Sequence, residues 1–294
     1  MPVIDVHTHI FLPEIIARRA EYLERDKWFA QLYASPEARM VNADELIASM
    51  DESGVDASVT FGFPWVDQQL NRETNDYVVE TVSRWPDRIF GFAQLNPAAT
   101  GALPELERCM QKGLSGLGEL MPHGQGYRWD DPRLHDLLQQ MAHWQRPVLI
   151  HCGEPVGHSY PGKSQCTLQP LYQLALRNPQ LTLVAAHWGG GLFFYELMPE
   201  VRETLRNVYY DTAASPLLYQ DDIFPLAERI IPQKMLFATD YPLISQGPFL
   251  RRVRRSGLSA DGLDSILHGN AARLLQIEGA PNHGTDSSLC GHRT

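Results

Sequence analysis

The stretch Val3-Ile4-Asp5-Val6-His7-Thr8-His9 opens the chain, and its reading decides the fold. Its apolar first half predicts a short strand, and histidines spaced i, i+2 on a pleated strand share one face. Two neutral imidazoles side by side are half of a metal site. An open doubly wound sheet would place a glycine-rich phosphate turn after its first strand, whereas this chain has His-Thr-His there.

Outward from His9, residues 11–41 mix aromatics, charges and proline and are read as an insertion over one end of the first strand, placed as a lid. Asn42-Ala43-Asp44 predicts the start of a crossover helix whose apolar face (Leu46, Ile47, Met50) ends at Gly54. Strand and helix then alternate, with further strands expected at 55–61, 89–95, 114–120, 148–151, 181–187, 208–211 and 234–240. Helices are expected between and after them, including 192–205 and 260–277. Eight strand-then-helix units demand a parallel sheet with right-handed crossovers, and they close most naturally into an α/β (β/α)8 TIM barrel with an insertion after the first strand. Residues 1–278 are read as one such domain and 279–294, rich in Gly, Ser, Asn and Asp, as a flexible polar tail.

Composition narrows the partners. A net charge of -10 is the wrong sign for binding phosphate backbones, so nucleic acid is excluded as a partner. No apolar run approaches the roughly 20 residues a bilayer requires, and no basic-then-apolar segment opens the chain, so a soluble cytoplasmic protein without membrane contact is expected. The four cysteines lack CxxC spacing and are read as reduced thiols. A small-molecule substrate is the expected partner, and a homo-oligomer is left open.

In a parallel barrel every strand points its C-terminal end at the same face, which carries the active site. The residues ending the strands therefore form a ring of His7, His9, Glu119, His151, His187, Asp211 and Asp240. Any one of them has a bland reading: His187 as a hydrogen-bonded structural residue, Asp211 and Asp240 as turn caps, Glu119 as an arginine partner. Together they bury several ionisable groups, at a cost of several kcal/mol each unless a cation compensates. Imidazoles with carboxylates and no thiolate set favour Zn, with Mn, Fe or Co as alternatives. Cys152 follows His151 and is read as structural, pointing away from the barrel axis. In the loops, His123, His158, Trp65 and Trp188 are read as substrate contacts, together with Phe11, Phe63 and Tyr241, and Arg128 as a holder of a carboxylate.

The order Val6-His7-Thr8-His9, Gly116-Leu117-Gly118-Glu119-Leu120, Leu149-Ile150-His151-Cys152-Gly153, Ala186-His187-Trp188-Gly189-Gly190-Gly191, Ala238-Thr239-Asp240-Tyr241-Pro242 and Gly269-Asn270-Ala271-Ala272-Arg273-Leu274-Leu275 resembles the amidohydrolase superfamily. The branch it resembles is the amidohydrolase-2 group, which includes enzymes of the aminocarboxymuconate-semialdehyde decarboxylase type. The resemblance implies that His7, His9, His151 and Asp240 hold a divalent metal, that Glu119 joins them in some branches, and that His187 orients substrate. Hydrolysis of an ester, lactone or amide is the expected reaction, with metal-activated water, Asp240 as general base and His187 stabilising the oxyanion. The alternative is a decarboxylase or hydratase of a small unsaturated or aromatic carboxylic acid.

Overall fold

Eight short parallel strands pair in chain order: β1 (Ile4–His9), β2 (Ala57–Phe61), β3 (Ile89–Ala93), β4 (Gly116–Leu120), β5 (Val148–Ile150), β6 (Leu183–Ala185), β7 (Val208–Asp211) and β8 (Met235–Leu236). They come from a computed structural model that describes residues 2–164 and 168–277. The last segment returns to the first. Val6 N–H donates to Phe237 O at 2.9 Å, His9 N–H to Tyr241 O at 2.7 Å and Asp240 N–H to His7 O at 3.0 Å, and these bonds close the ring. The architecture is the (β/α)8 barrel that the strand count predicts.

Ile4, Val6, Val59, Leu149, Val184 and Leu236 meet in one apolar cluster that fills the barrel interior. A register shift in the β1–β2 ladder between Asp5 and Thr8 breaks strict alternation on β1. It lets Val6 join the interior core while His7, the next residue, also faces inward above it. A second cluster lies between the strands and the outer helices, joining Leu46 and Met50, Val78, Leu106, Leu137 and Leu171 to strand residues such as Leu117 and Leu183.

The helical shell follows the local signals. Among its crossovers, Ala43–Ser53 begins in a capping box between Asn42 and Glu45 and stops at Gly54, whose φ is 71°. Gln68–Arg84 is capped by Asp67, and Pro132–His143 by Asp131. One expected helix is replaced and another carries a bulge. Over 192–205 the chain instead forms tight turns (His187–Leu197) and a short helix (Pro199–Thr204), because His187 and Trp188 take left-handed φ of 55° and 59° and Gly189 to Gly191 extend that bend. The helix expected over 260–277 runs without a break from Ala260 to Leu274, with a π turn (Ser265–Gly269) between Ala260–Asp264 and Asn270–Leu274.

The insertion after β1 folds as three short helices: Pro13–Ala17, Arg19–Arg25 and Lys27–Tyr33. Asp26 fastens it. One carboxylate oxygen caps the third helix by accepting from Trp28 N and Phe29 N at 2.9 Å each, and the other accepts from Val66 N at 2.9 Å in the loop after β2. Phe11, Ile15, Trp28 and Phe29 then pack against Phe63, Trp65 and Met121, so the insertion is bound to the barrel rim through its own small core. Among the described residues no helix is long and apolar enough to cross a membrane. The expectation of a flexible tail at 279–294 falls outside the described residues.

Candidate metal centre

The strand ends converge as the ring reading requires. His7 and His9 come from β1, Glu119 from β4, Asp211 from β7, and His151, His187 and Asp240 from the residues just past β5, β6 and β8. Gly118 sets Glu119 in place: its φ is +122°, and a Cβ there would lie 2.2 Å from the Leu149 carbonyl oxygen on the neighbouring strand. Asp240 itself is held with a left-handed φ of 64°.

Each of the four histidines has one ring nitrogen tied to an acceptor outside the centre. His7 Nδ1 bonds Asp211 Oδ2 at 2.9 Å, and His9 Nδ1 bonds Gly62 O at 3.3 Å. His151 Nε2 bonds Gly162 O at 3.0 Å, and His187 Nδ1 bonds Ala213 O at 3.0 Å. Carbonyl and carboxylate oxygens only accept, so these nitrogens carry the hydrogen and the other nitrogen of each neutral ring turns a lone pair toward the centre. Two pairs of such nitrogens then face one another at 3.2 Å: His7 Nε2 with His9 Nε2, and His187 Nε2 with His151 Nδ1. Bare lone pairs at that separation repel, and only a proton or a cation relieves them.

Carboxylates complete the donor set. Asp240 Oδ1 lies 3.3 Å from His9 Nε2 and 3.6 Å from His7 Nε2, while Glu119 Oε1 lies 2.9 Å from His151 Nδ1 and 3.5 Å from His187 Nε2. The donors fall into two groups, His7-His9-Asp240 and Glu119-His151-His187, each with ligand atoms within 4.8 Å of one another. Glu119 Oε2, 3.7 Å from His7 Nε2, joins the two. Imidazole and carboxylate donors with fixed outer partners are those of a divalent metal site, and the residues present fit such an ion.

Burial opposes charge at this centre, but the groups hold one another ionised. His7 is raised to about 9 against the cost of burial by the carboxylates of Asp211 and Glu119. His187 is raised to about 10, again against burial, by Glu119 and Asp240. Glu119 is held well below the usual carboxylate range despite its burial, chiefly by His151 and His7, and Asp240 is lowered by His7 and His9. In effect the cluster recruits positive charge.

A cavity of about 450 Å³ stands above it. Its floor is His9, Glu119, His151, His187 and Asp240, and its walls include Tyr33, Phe63, Met121, Leu217, Leu218 and Leu243. Of the residues read as substrate contacts, His158 and Phe63 line this cavity and the others do not. Arg128 is 84% exposed and doubly bonded to Asp130 two residues away, so its charge is already matched in solvent. Trp65 is fully buried, with Nε1–H donating to Thr74 Oγ1 at 3.1 Å, and Phe63 takes its place on the cavity wall. Trp188 is buried too, its Nε1–H donating to Ser215 Oγ at 3.0 Å, because the left-handed turn at His187 and Trp188 directs the indole into the shell. His123 sits over Trp28, ring centroids 6.1 Å apart, beside a smaller cavity behind His151. Phe11 and Tyr241 are buried and also absent from the lining. Cys152 is sealed, and burial pushes its thiol well up, in keeping with a structural residue.

Two residues behind the centre carry signals that strand-end reading passes over. Asp5 accepts from Thr239 N, Thr239 Oγ1 and Gln246 Nε2 at 3.0, 2.6 and 2.9 Å, locking β1 to the segment that carries Asp240. Gly62, where a Cβ would strike Thr74 Cγ2 at 1.9 Å, presents its carbonyl to both His9 Nδ1 and Gln94 Nε2.

The sequence profile of the amidohydrolase family matches residues 4–277. The chain belongs to that family. A gamma-resorcylate decarboxylase of Polaromonas sp. is 24% identical over 291 residues, covering 80% of this chain and 87% of its own. Among solved structures, 5-carboxyvanillate decarboxylase of Sphingomonas paucimobilis superposes with a TM-score of 0.77 at 23% identity, over 94% of this chain and 99% of its own. The 5-carboxyvanillate decarboxylase of Novosphingobium aromaticivorans, complexed with manganese and 4-hydroxy-3-methoxy-5-nitrobenzoic acid, superposes with a TM-score of 0.76 at 17% identity, over 94% and 96%. These likenesses fix the fold. They also correct the expectation of ester, lactone or amide hydrolysis, because the curated relative and both of these structures are decarboxylases, which break a carbon–carbon bond. Zinc has no special support: the donor set is equally that of manganese, the ion in the Novosphingobium structure.

Proposed function

We propose that this chain is a divalent-metal-dependent decarboxylase of small aromatic carboxylic acids, with manganese the favoured ion. The observation that carries the reading is the polarity of the cavity, whose floor is imidazole and carboxylate and whose walls are aromatic and aliphatic. A flat ring fits such walls while its carboxylate reaches the floor, and the decarboxylase relatives support the same chemistry.

His7, His9 and Asp240 form the primary ligand group, with His151 and Glu119 beside them. When bound, the metal supplies Lewis acidity and a positive charge to which the reacting carboxylate can dock. His187 presents Nε2 from the other side, its Nδ1 anchored on Ala213, and orients that carboxylate. Phe63 and the leucine walls keep water from the ring. In the reaction the bond between the ring carbon and the carboxyl carbon breaks, its electron pair stays on the ring carbon, carbon dioxide leaves and a proton takes its place. Asp240 is the residue that moves this proton. It is 14% exposed to the cavity, whereas Glu119 and Asp211 are sealed at 1% and 0%.

The test is to supply manganese-loaded protein with 2,6-dihydroxybenzoate and 5-carboxyvanillate and to measure carbon dioxide. Release from either, with one deuterium placed on the ring in D2O, is expected. No release from both, with turnover of ester or lactone substrates instead, would sink the reading.

A further inference from the structure

Tyr160 lines the cavity from the loop after β5, near His158 and Gly162. Its hydroxyl donates to Glu154 Oε2 at 2.8 Å. The other oxygen of that carboxylate, Oε1, is buried and meets no donor among the described residues, so Glu154 depends on the phenol hydrogen and holds it. Burial and the bond to Glu154 push the Tyr160 hydroxyl far above the usual phenol range, and it stays protonated. The ring is held in place. Lys163 Nζ stands 5.6 Å from its centroid and donates to Val156 O and His158 O at 2.7 and 2.8 Å, which ties the loop around it. Two residues on, Gly162 O accepts from His151 Nε2 at 3.0 Å, so the phenol is referenced to a residue of the floor.

A phenol has one hydrogen to give and lone pairs with which to receive. With the hydrogen committed to Glu154, Tyr160 offers the cavity an acceptor, strengthened by the carboxylate behind it. Tyr33, the other phenol of the lining, bonds no described residue through its hydroxyl and can serve either way, so it does not discriminate. We infer that Tyr160 is a specificity-determining residue that accepts a hydrogen bond from a hydroxyl on the substrate ring, with Glu154 the positioning residue that keeps it an acceptor. Its attachment to His151 through Gly162 places that hydroxyl on a ring carbon next to the reacting carboxyl. A methoxy group there has no hydrogen to give and sets oxygen against oxygen, so the pair rejects it. The inference rests on the decarboxylase reading.

A binding experiment separates its failure from the failure of that reading. 2-Nitroresorcinol carries a hydroxyl on each side of a nitro group that stands for the reacting carboxylate, and its dimethyl ether carries methoxy groups instead. Each is titrated into manganese-loaded wild type, Tyr160→Phe, Glu154→Ala and Glu154→Gln. Tyr160→Phe is expected to weaken 2-nitroresorcinol by roughly 3- to 10-fold, the scale of one hydrogen bond, and the ether by less than about 2-fold. Glu154→Ala frees the phenol hydrogen to turn into the cavity, and the ether is expected to bind roughly 3- to 10-fold tighter than it does to wild type. A purely structural role for Glu154 would weaken both compounds. Glu154→Gln, whose amide oxygen still accepts the phenol hydrogen, keeps the wild-type preference to within about 2-fold. A Tyr160→Phe protein that binds both compounds as wild type does, or loses both alike, while carbon dioxide release persists, overturns the assignment of Tyr160 alone. An ether that gains nothing in Glu154→Ala overturns the role of Glu154. Wild type that releases carbon dioxide from neither 5-carboxyvanillate nor 2,6-dihydroxybenzoate overturns the decarboxylase reading, and the substrate class with it.

Discussion

Asp211 Oδ2 accepts the Nδ1–H of His7 at 2.9 Å, with both side chains fully buried, and this bond fixes which nitrogen His7 offers to the centre. The same carboxylate uses Oδ1 to accept the backbone N–H groups of His187 at 2.8 Å and Ala213 at 3.0 Å. One side chain from β7 thereby sets the tautomer of a β1 histidine and the backbone path of the β6 histidine.

Asp211→Asn is therefore expected to damage the centre without unfolding it. The amide oxygen can keep the two backbone bonds, but the amide NH2 then faces His7 Nδ1 and donates to it. His7 must put its own hydrogen on Nε2, toward the centre. Loss of an outer-shell partner of this kind costs about 10- to 100-fold in metal affinity, measurable by manganese titration of the metal-free protein. Unchanged affinity would show that Nε2 of His7 is not offered to the ion.

Asp240→Asn removes the proposed proton carrier while conserving its shape. Carbon dioxide release is expected to fall by at least about 100-fold, the usual scale for a lost acid or base, with the far-UV spectrum preserved. A residual rate within 10-fold of wild type would assign the proton to another group.

The raised values of His7 and His187, about 9 and about 10, make the metal-free protein sensitive to alkali. Both lie above the ordinary 6.5, so folding favours the protonated rings. That contribution is complete below 6.5 and is lost as pH rises through 9 and then 10. The melting temperature in chelator is expected to fall between pH 7 and 10, less steeply in His187→Gln. Manganese needs the deprotonated nitrogens, so its affinity rises across the same range. A chelated protein equally stable at pH 7 and pH 10 would contradict these assignments.

Leu217 lines the cavity yet is 54% exposed. Leu217→Trp fills part of the mouth at little cost to folding, since exposed substitutions usually shift stability by less than about 0.5 kcal/mol. A KM raised several-fold at unchanged melting temperature is expected in steady-state assays. An unaltered KM would place the substrate elsewhere.

The barrel and its floor were legible in sequence because both obey simple periodicity. A parallel strand ends where its apolar run ends, and His7, His9, Glu119, His151, His187 and Asp240 stand at those ends. Loop residues obey no such rule. Trp65 and Trp188 look like cavity aromatics, but each indole N–H finds a buried hydroxyl, Thr74 or Ser215, and the ring follows it inward. Arg128 is a loop arginine placed to meet a carboxylate, and only tertiary structure reveals that Asp130 claims it. Asp5 was hidden in plain view within the opening strand, since nothing local indicates that Thr239 and Gln246 will reach it.

The seam where the ring closes is also where the centre is made. Asp240 N–H bonds His7 O, so the same few residues finish the barrel and bring together candidate ligands from far apart in the chain. Contacts of such long sequence separation form slowly. His7 and His9 stand on the first strand, and they meet the Asp240 carboxylate only once the segment after β8 is in place. A chain cut before β8 lacks Asp240 and is expected to be inactive, not partly active.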